Sequence, residues 1–302
     1  NPDVDIVCLC TPSGDHLAPA IACAKASKHV VVEKPLEVTL ARCDELTTAC
    51  AKAGVTVAGI LPRRFGAGAV ALKAALEAGR FGKLTLAGAL IPWWRTQAYY
   101  DSAAWRGTFA LDGGGAAMNQ GVHTIDLLLW FLGAPKRVSA TAGLVAHDGI
   151  EVEDIATGWI EFANGCRATL ASSTACWSAT GFPAEIRIHG TTGAAVLRDD
   201  KLTAFEFEKP LPADAAFLAP ATEGGGAGAN DPKAIGHAWH RANLEEAVAA
   251  IRAGKQPAVN GAEGRKAVEL ILALYQSAQA GGTPVELPLM HDPALRKLGE
   301  KK

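Results

Sequence analysis

The sequence has no excess of either charge, no long apolar run and no leader-like amino terminus, and each absence excludes a class of protein. Its 302 residues include 29 lysines and arginines and 31 aspartates and glutamates, so we expect no basic surface for nucleic acid or an anionic membrane. No apolar run approaches the ~18 residues of a membrane span, and the opening NPDVDIVCLC lacks the basic region and cleavage site of a signal peptide. We therefore expect a cytoplasmic protein that acts on small molecules.

The seven cysteines follow no regular spacing. There is no pair of C-x-x-C motifs and there are no histidines at zinc-finger spacing, so we expect no metal site. We interpret the cysteines as small buried hydrophobic residues, including Cys8 and Cys10, which alternate along a predicted strand.

The sequence does contain enough apolar material for two folded domains. Hydrophobic residues make up 49% and charged residues 20% of a chain that is longer than one ordinary core requires. Short apolar runs at 5–10, 29–33 and 55–61 alternate with helical patterns, which is typical of βαβ units and a doubly wound parallel sheet. We assign residues 1–62 to this α/β domain and residues 63–302 to a second one.

Beyond residue 133 the pattern changes to alternating polar and apolar segments, which predicts an open, mostly antiparallel sheet. Asn164-Gly165 is a hairpin signal, and the segment 210–232, rich in Ala, Gly and Pro, predicts an irregular excursion. The predicted strands are 137–145, 154–162, 166–174, 184–189 and 194–198, and the predicted helices that follow are 237–253 and 264–280.

Two tripeptides mark the expected binding edge of the parallel sheet. Ligands of such sheets bind at the carboxyl ends of the strands, where Thr11-Pro12-Ser13 and Glu33-Lys34-Pro35 stand. A lone lysine before a proline is often only a solvated strand end. Its position at the crevice favours a role for Lys34 in a site.

The stretch 112–133, DGGGAAMNQGVHTIDLLLWFLG, holds the second candidate group. Three glycines give a flexible turn that leads into a helix, on which Asn119, His123, Asp126 and Trp130 share one stripe beside an apolar one. A His and an Asp three residues apart are as often a structural pair as a functional one. Asp126 therefore either orients the His123 ring or bonds to nearby backbone.

Five segments taken in order resemble the Gfo/Idh/MocA oxidoreductases, and the similarity extends to PVELPL at 284–289. The resemblance implies a Rossmann domain followed by an α/β domain whose large sheet packs against another subunit in a homodimer or homotetramer. It also implies hydride transfer between NAD or NADP and a secondary hydroxyl of a sugar, sugar acid, nucleotide sugar or cyclitol. The segments are TPSGDH (11–16), VVVEKPL (30–36), RRF (63–65), YYDSAAWRG (99–107) and GGGAAMNQGVHTIDLL (113–128).

The resemblance, together with the residues themselves, gives a set of expected roles. His123 is the candidate base because histidine titrates nearest neutrality, and Lys34 is expected to hold the reacting oxygen. Asn119 stands where many relatives have Asp, so we expect it to orient substrate rather than to tune His123. The expected cofactor-binding residues are Thr11, Pro12, His16, Glu33, Lys34, Trp105 and Arg106, and the expected substrate-binding residues are Arg95, Tyr99, Tyr100, Asn119, Gln120 and His123.

One departure from the family pattern is large. The family opens with a strand and a G-x-G-x-x-G turn that receives the pyrophosphate, and residues 1–302 begin with neither. The missing strand would lie beside the run 6–10, which is otherwise a bare edge. We expect a further half domain before residue 1 in the working enzyme and weak NAD(H) binding by residues 1–302 alone. NAD and NADP stay open because the residue that selects between them would lie upstream.

Two other functions are compatible with the same residues. One is an NAD-assisted glycoside hydrolase or lyase that retains its cofactor, and net NADH production separates it from a dehydrogenase. The other is a non-catalytic homologue that has lost its nucleotide site, which Lys34 and His123 argue against.

Overall fold

A small parallel sheet forms the first part of the chain in the computed structural model, which describes residues 1–199, 201–218 and 236–301. Its elements are β1 (Ile6–Leu9), α1 (Leu17–Lys25), β2 (His29–Val32), α2 (Leu40–Lys52) and β3 (Val57–Gly59). The strand order is β1-β2-β3, and Val30, Val31 and Val32 of the central strand are buried, as expected for a parallel strand covered on both faces. The Thr39 hydroxyl caps α2 by accepting a hydrogen bond from the Arg42 backbone N–H.

A sheet of eight strands, mostly antiparallel as predicted, dominates the rest of the described chain. Its elements are α3 (Ala67–Glu77), β4 (Leu84–Pro92), α4 (Gln97–Asp101), α5 (Val122–Leu132), β5 (Pro135–Gly143), β6 (Ile155–Phe162), β7 (Arg167–Ser173), β8 (Glu185–Gly190), β9 (Gly193–Arg198), β10 (Lys201–Phe207), α6 (Asp214–Phe217), α7 (Ala238–Arg252), α8 (Gly261–Gln279) and β11 (Val285–Glu286). The strand order is β10-β9-β8-β4-β7-β6-β5-β11, and β4 runs parallel to β7.

The local predictions for this second sheet have mixed outcomes. The hairpin at Asn164-Gly165 is confirmed, since Gly165 joins β6 to β7 with φ of 87°. Two strands, β10 and β11, were not predicted, although β10 carries the same alternation of polar and apolar residues as the others. Of the predicted irregular segment 210–232, residues 219–232 lie outside the described residues, and residues 210–218 include the short helix α6.

Helix α8 joins the two sheets, and helix α7 packs on the small one. Ala247 of α7 packs on Val31, Ala58 and Ile60 of the small sheet, and α8 contacts both β3 and β5. Residues late in the chain therefore complete the core of the first sheet, while the boundary after residue 62 stays a prediction. No helix in the described part of the chain is long and apolar enough to span a membrane.

Strand β1 lies at the edge of the small sheet. Leu9 points into the core, whereas Cys8 and Cys10 are exposed, so the interpretation of these two cysteines as buried was wrong. Alternate side chains of a strand face opposite sides, and on the side of Cys8 and Cys10 the packing reaches Ile6, which is partly buried, but not the two cysteines. The cysteines that are buried as predicted are Cys43, Cys50 and Cys166.

Candidate active site

A cavity of about 750 Å³ lies where the small sheet meets the large domain. Thr11 and Pro12 follow β1 into its wall, and Glu33 and Lys34 follow β2, as the strand-end rule predicts. The predicted site residues that line the cavity are Thr11, Pro12, Glu33, Lys34, Arg95, Tyr99, Trp105, Arg106, Asn119, Gln120 and His123.

Lys34 reaches across the cavity wall from the end of β2 to the turn before α5. Its Nζ donates to the backbone oxygen of Asn119 at 2.8 Å and to Asn119 Oδ1 at 3.3 Å. Burial lowers the pKa of Lys34, and the carboxylates of Glu33 and Asp112 partly offset this effect. The ammonium is thus held by protein acceptors and is not a solvated strand end.

The turn that carries Asn119 is shaped by glycines and one buried carboxylate. Gly113 has φ of 81°, and a Cβ on Gly115 would lie 1.7 Å from the backbone oxygen of Glu153. The Glu153 carboxylate accepts hydrogen bonds from the backbone N–H groups of Gly115 and Ala117 and from the Tyr275 hydroxyl, at 2.8–2.9 Å. Burial raises the pKa of Glu153 to about 7. Its contacts fix one π-helical turn, Ala116–Gln120, ahead of α5.

His123 is the second residue of α5 and lines the cavity beside Lys34. Its pKa lies well below the ordinary value because burial disfavours the imidazolium and the cations of Lys34 and Arg63 repel it. Nδ1 is buried without a hydrogen-bond partner among the described residues. The ring is therefore neutral at neutral pH, and a neutral imidazole can accept a proton.

Asp126 takes neither of the two roles predicted for it. Its carboxylate accepts two hydrogen bonds from the Arg64 guanidinium, at 2.6 and 2.8 Å, instead of orienting His123 or bonding to backbone. Arg64 is only 6% exposed and also pairs with Glu263 at 2.9 Å. A planar guanidinium matches a carboxylate at two points, so it is a better partner than a ring one helical turn away.

The loop before the glycines places an arginine between two aromatic rings. The Arg106 guanidinium lies 4.3 Å from the ring centre of Tyr99 and 4.5 Å from that of Trp105, and its Nη1 donates to the Tyr99 hydroxyl at 2.7 Å. Gln120 donates to the same hydroxyl at 3.1 Å. This stack gives the cavity a rigid wall with cationic and aromatic character.

Two predicted residues lie outside the cavity lining. His16 is fully buried, with Nδ1 3.1 Å from the Pro35 oxygen and Nε2 3.1 Å from the Thr11 oxygen, so it holds the ends of β1 and β2 together. Tyr100 is 1% exposed and its hydroxyl bonds to Thr174 at 2.8 Å. Both side chains are committed to neighbouring protein groups, which leaves them no contact with a ligand in this cavity.

The cavity also contains residues outside the predicted set of site residues, although Ser13 and Arg63 stand in segments that the sequence analysis named. Arg63 follows β3, so the strand-end rule that indicated Lys34 applied to it as well. A second group, the HAWH segment at the start of α7, left no such signal. The additional lining residues are Cys10, Ser13, Pro62, Arg63, Trp93, Asp199, Gly236, His237, Ala238, Trp239 and His240.

The cavity fits the nicotinamide end of a dinucleotide cofactor. Thr11, Pro12 and Glu33 stand at the strand ends where parallel sheets bind such ligands, and Trp105 adds an aromatic surface. Three polar atoms in the wall are buried without a partner among the described residues: Trp93 Nε1, Gln120 Oε1 and His123 Nδ1. Unpartnered buried polar atoms are uncommon, and a cluster of them is typical of a site that a ligand completes.

Comparisons with known proteins agree with this fold and site. Residues 69–196 match the family described as the GFO/IDH/MocA C-terminal domain, and residues 1–59 match the oxidoreductase family with an NAD-binding Rossmann fold. A solved structure, the WlbA dehydrogenase from Bordetella pertussis in complex with NADH and UDP-GlcNAcA, is 30% identical with a TM-score of 0.82. The alignment covers 94% of this chain and 80% of that one.

Two curated proteins are also similar. The 1,5-anhydro-D-fructose reductase of Ensifer adhaerens is 30% identical over 66% of this chain and 58% of its own length. The 2,7-anhydro-N-acetylneuraminate hydratase of Escherichia coli is 30% identical over 63% of this chain and 50% of its own. The chain thus spans about half the length of these curated relatives. On the shared fold, the two family matches and the aligned solved structure, the chain belongs to the Gfo/Idh/MocA family of oxidoreductases.

Proposed function

We propose that this chain oxidises a secondary hydroxyl of a carbohydrate-like substrate with NAD or NADP. The observation that carries the proposal is the meeting of a lysine ammonium and a neutral imidazole in one cavity at the strand ends. Alcohol oxidation needs a base for the hydroxyl proton and a cation for the oxygen that loses it. His123 and Lys34 supply this pair, and a bound nicotinamide would supply the hydride acceptor.

The charges around the cavity support an anionic sugar as substrate. The described lining carries four lysine and arginine side chains but only two carboxylates, Glu33 and Asp199. Arginine guanidinium groups bind carboxylates and phosphates well. The Arg106 guanidinium is positioned between two aromatic rings and can bind such a group. The ligand UDP-GlcNAcA in the Bordetella pertussis structure has this character. We therefore favour a sugar acid or a nucleotide sugar over a neutral cyclitol.

A hydratase or lyase is the second candidate. It is favoured by the Escherichia coli relative named 2,7-anhydro-N-acetylneuraminate hydratase. In that case the substrate would be oxidised only transiently, and no net NADH would form.

The test is a substrate panel assayed with a protein that contains residues 1–302. A nucleotide sugar acid, a free uronate, a neutral sugar and a cyclitol are each incubated with NAD⁺ or NADP⁺, and absorbance at 340 nm and product are followed. We expect reduced cofactor to form with the acidic sugars, and Arg106→Gln to raise KM for these more than for neutral ones. Product without reduced cofactor would favour the second candidate, and no turnover of any substrate would contradict both.

We further propose that the large sheet pairs with a second copy of the chain, as a homodimer or as part of a homotetramer. The face of the sheet turned away from its helices exposes Leu86 (54%), Leu90 (46%) and Trp159 (38%), with Thr157, Thr169 and Ala171 between them. Several large apolar side chains exposed on one sheet face are typical of a protein interface.

A further inference from the structure

Asp112 lies behind the site and outside the cavity lining. It is 1% exposed, and its Oδ2 accepts a hydrogen bond from the backbone N–H of Gly107 at 2.8 Å. Its Oδ1 accepts from the side-chain amide of Asn119, whose Oδ1 in turn accepts from Lys34 Nζ. A carboxylate, an amide and an ammonium thus form one continuous chain of hydrogen bonds.

The order of these groups leaves one orientation for the amide. A carboxylate only accepts and an ammonium only donates, so the NH₂ of Asn119 must face Asp112 and its oxygen must face Lys34. Asn119 also offers its backbone oxygen to Lys34, so two of the three ammonium hydrogens bond to one residue. The third hydrogen is left for the cavity.

We propose that Asp112 is a positioning residue for the oxidation: acting through the Asn119 amide, its carboxylate holds the Lys34 ammonium in place and keeps it charged. The part that concerns oxidation rests on the proposed function, whereas the effect on Lys34 does not.

The surroundings of Lys34 explain why this charge matters. Burial and two guanidinium groups lower the pKa of the lysine, and two carboxylates raise it. Of these carboxylates Glu33 lines the cavity, where ligands compete for it, whereas Asp112 is sealed within protein. The charged and titratable groups that face Lys34 are Glu33, Asp112, Arg95, Arg106 and His123.

A charge exchange between positions 112 and 119 tests the proposal. In Asp112→Asn the new amide must turn its NH₂ towards either the Gly107 N–H or the Asn119 NH₂, so a hydrogen bond is lost together with the charge. In the double variant Asp112→Asn/Asn119→Asp every hydrogen bond can be made again, because the amide at position 112 would accept from Gly107 and donate to the carboxylate at position 119. Asp44→Asn, which removes an exposed carboxylate, is the matched control.

The measurement is the pH dependence of Lys34 acylation by trace acetic anhydride, quantified by mass spectrometry. It requires neither cofactor nor activity. We expect Asp112→Asn to shift the titration of Lys34 to lower pH, so that acylation at pH 7 becomes roughly tenfold faster. In the double variant the carboxylate at position 119 would contact Lys34 directly, so its titration should lie at the wild-type pH or above it, and Asp44→Asn should follow the wild-type curve. In the active enzyme Asp112→Asn should lower kcat by about tenfold with little change in KM.

Each other outcome has one meaning. An unchanged Lys34 titration in Asp112→Asn, with only a lower melting temperature, would make Asp112 a purely structural residue and overturn the proposal. If Asp112→Asn fails to fold, the double variant provides the test. A Lys34 titration at lower pH in the double variant than in the wild type would also overturn the proposal. The expected labelling results in a protein without dehydrogenase activity would refute the proposed function and leave the effect on Lys34 intact.

Discussion

Arg64 and Asp126 form a buried ion pair at two points, with Nε–Oδ2 and Nη2–Oδ1 distances of 2.8 and 2.6 Å. Arg64 lies in the turn after β3 and Asp126 lies in α5, so the pair ties this helix to the end of the small sheet. His123 is in the same helix, and Lys34 is at the end of the neighbouring strand. The ion pair thereby fixes how the base and the ammonium meet.

Removing the Asp126 carboxylate should be costly. Asp126→Ala leaves the buried Arg64 charge with Glu263 and the Trp130 ring as its remaining partners among the described residues, and we expect the free energy of unfolding to fall by roughly 3–5 kcal/mol. Urea unfolding measures this loss of stability. Glu263→Ala removes the more exposed partner of Arg64 and should lower the free energy of unfolding by less. A loss below about 1 kcal/mol for Asp126→Ala would show that the pair does not hold the helix.

Lys34→Ala should lower kcat by roughly 10²-fold, because the variant loses the cation that stabilises the developing alkoxide. Cofactor affinity should change less. Steady-state kinetics and calorimetry separate the two effects, and Lys52→Ala, an exposed lysine at the end of α2, is the control. A kcat near that of the wild type would remove Lys34 from the mechanism.

His123 should act as a base to unusually low pH. Its pKa is lowered well below 6.5, so the imidazole stays neutral and oxidation should continue below that pH, with the acid limb of kcat/KM displaced downward. His123→Asn keeps a hydrogen-bonding side chain, but an amide does not take up a proton at these pH values. The variant should therefore lose the acid limb of the kcat/KM profile and be slower by about 10²-fold to 10⁴-fold. Lys34 is close enough for the two groups to titrate as a pair. If His123→Asn keeps both the acid limb and the wild-type rate, a residue other than His123 is the base.

Glu153 should make the fold less stable as pH rises. Its pKa in the folded protein is about 7, above its ordinary 4.5, so its contribution is fully present below pH 4.5 and is lost as pH rises through 7. The difference corresponds to about 3 kcal/mol. Glu153→Gln should remove most of this dependence, which urea unfolding at pH 5 and pH 8 detects. If the wild type and Glu153→Gln show the same pH dependence of stability, groups other than Glu153 cause it.

The exposed sheet face should control assembly. Leu90→Lys places a charge in the middle of the proposed interface, where it would lack a partner, and should shift the protein towards the monomer. Sedimentation velocity over a range of concentrations measures the change. Val70→Lys, at an exposed position in α3 away from this face, is the control. An unchanged mass for Leu90→Lys would exclude this face as the interface.

The sequence by itself determined the small parallel sheet and the place of Lys34. Both follow from short-range pattern: a run such as HVVV is buried on both faces, and a residue that directly follows such a strand must stand at the sheet edge where ligands bind. The glycines before α5 and the hairpin at Asn164-Gly165 are equally local, since they depend on the backbone conformations that these residues allow.

Only the tertiary structure decided which groups each polar side chain bonds to. Asp126 has its partner 62 residues away in Arg64, and Lys34 reaches 85 residues along the chain to Asn119. Periodicity says which face of a helix a side chain occupies, but not what packs against that face. The partners of Asp126, Lys34 and Tyr100 lie 62, 85 and 74 residues away and meet these side chains only in the packed tertiary structure.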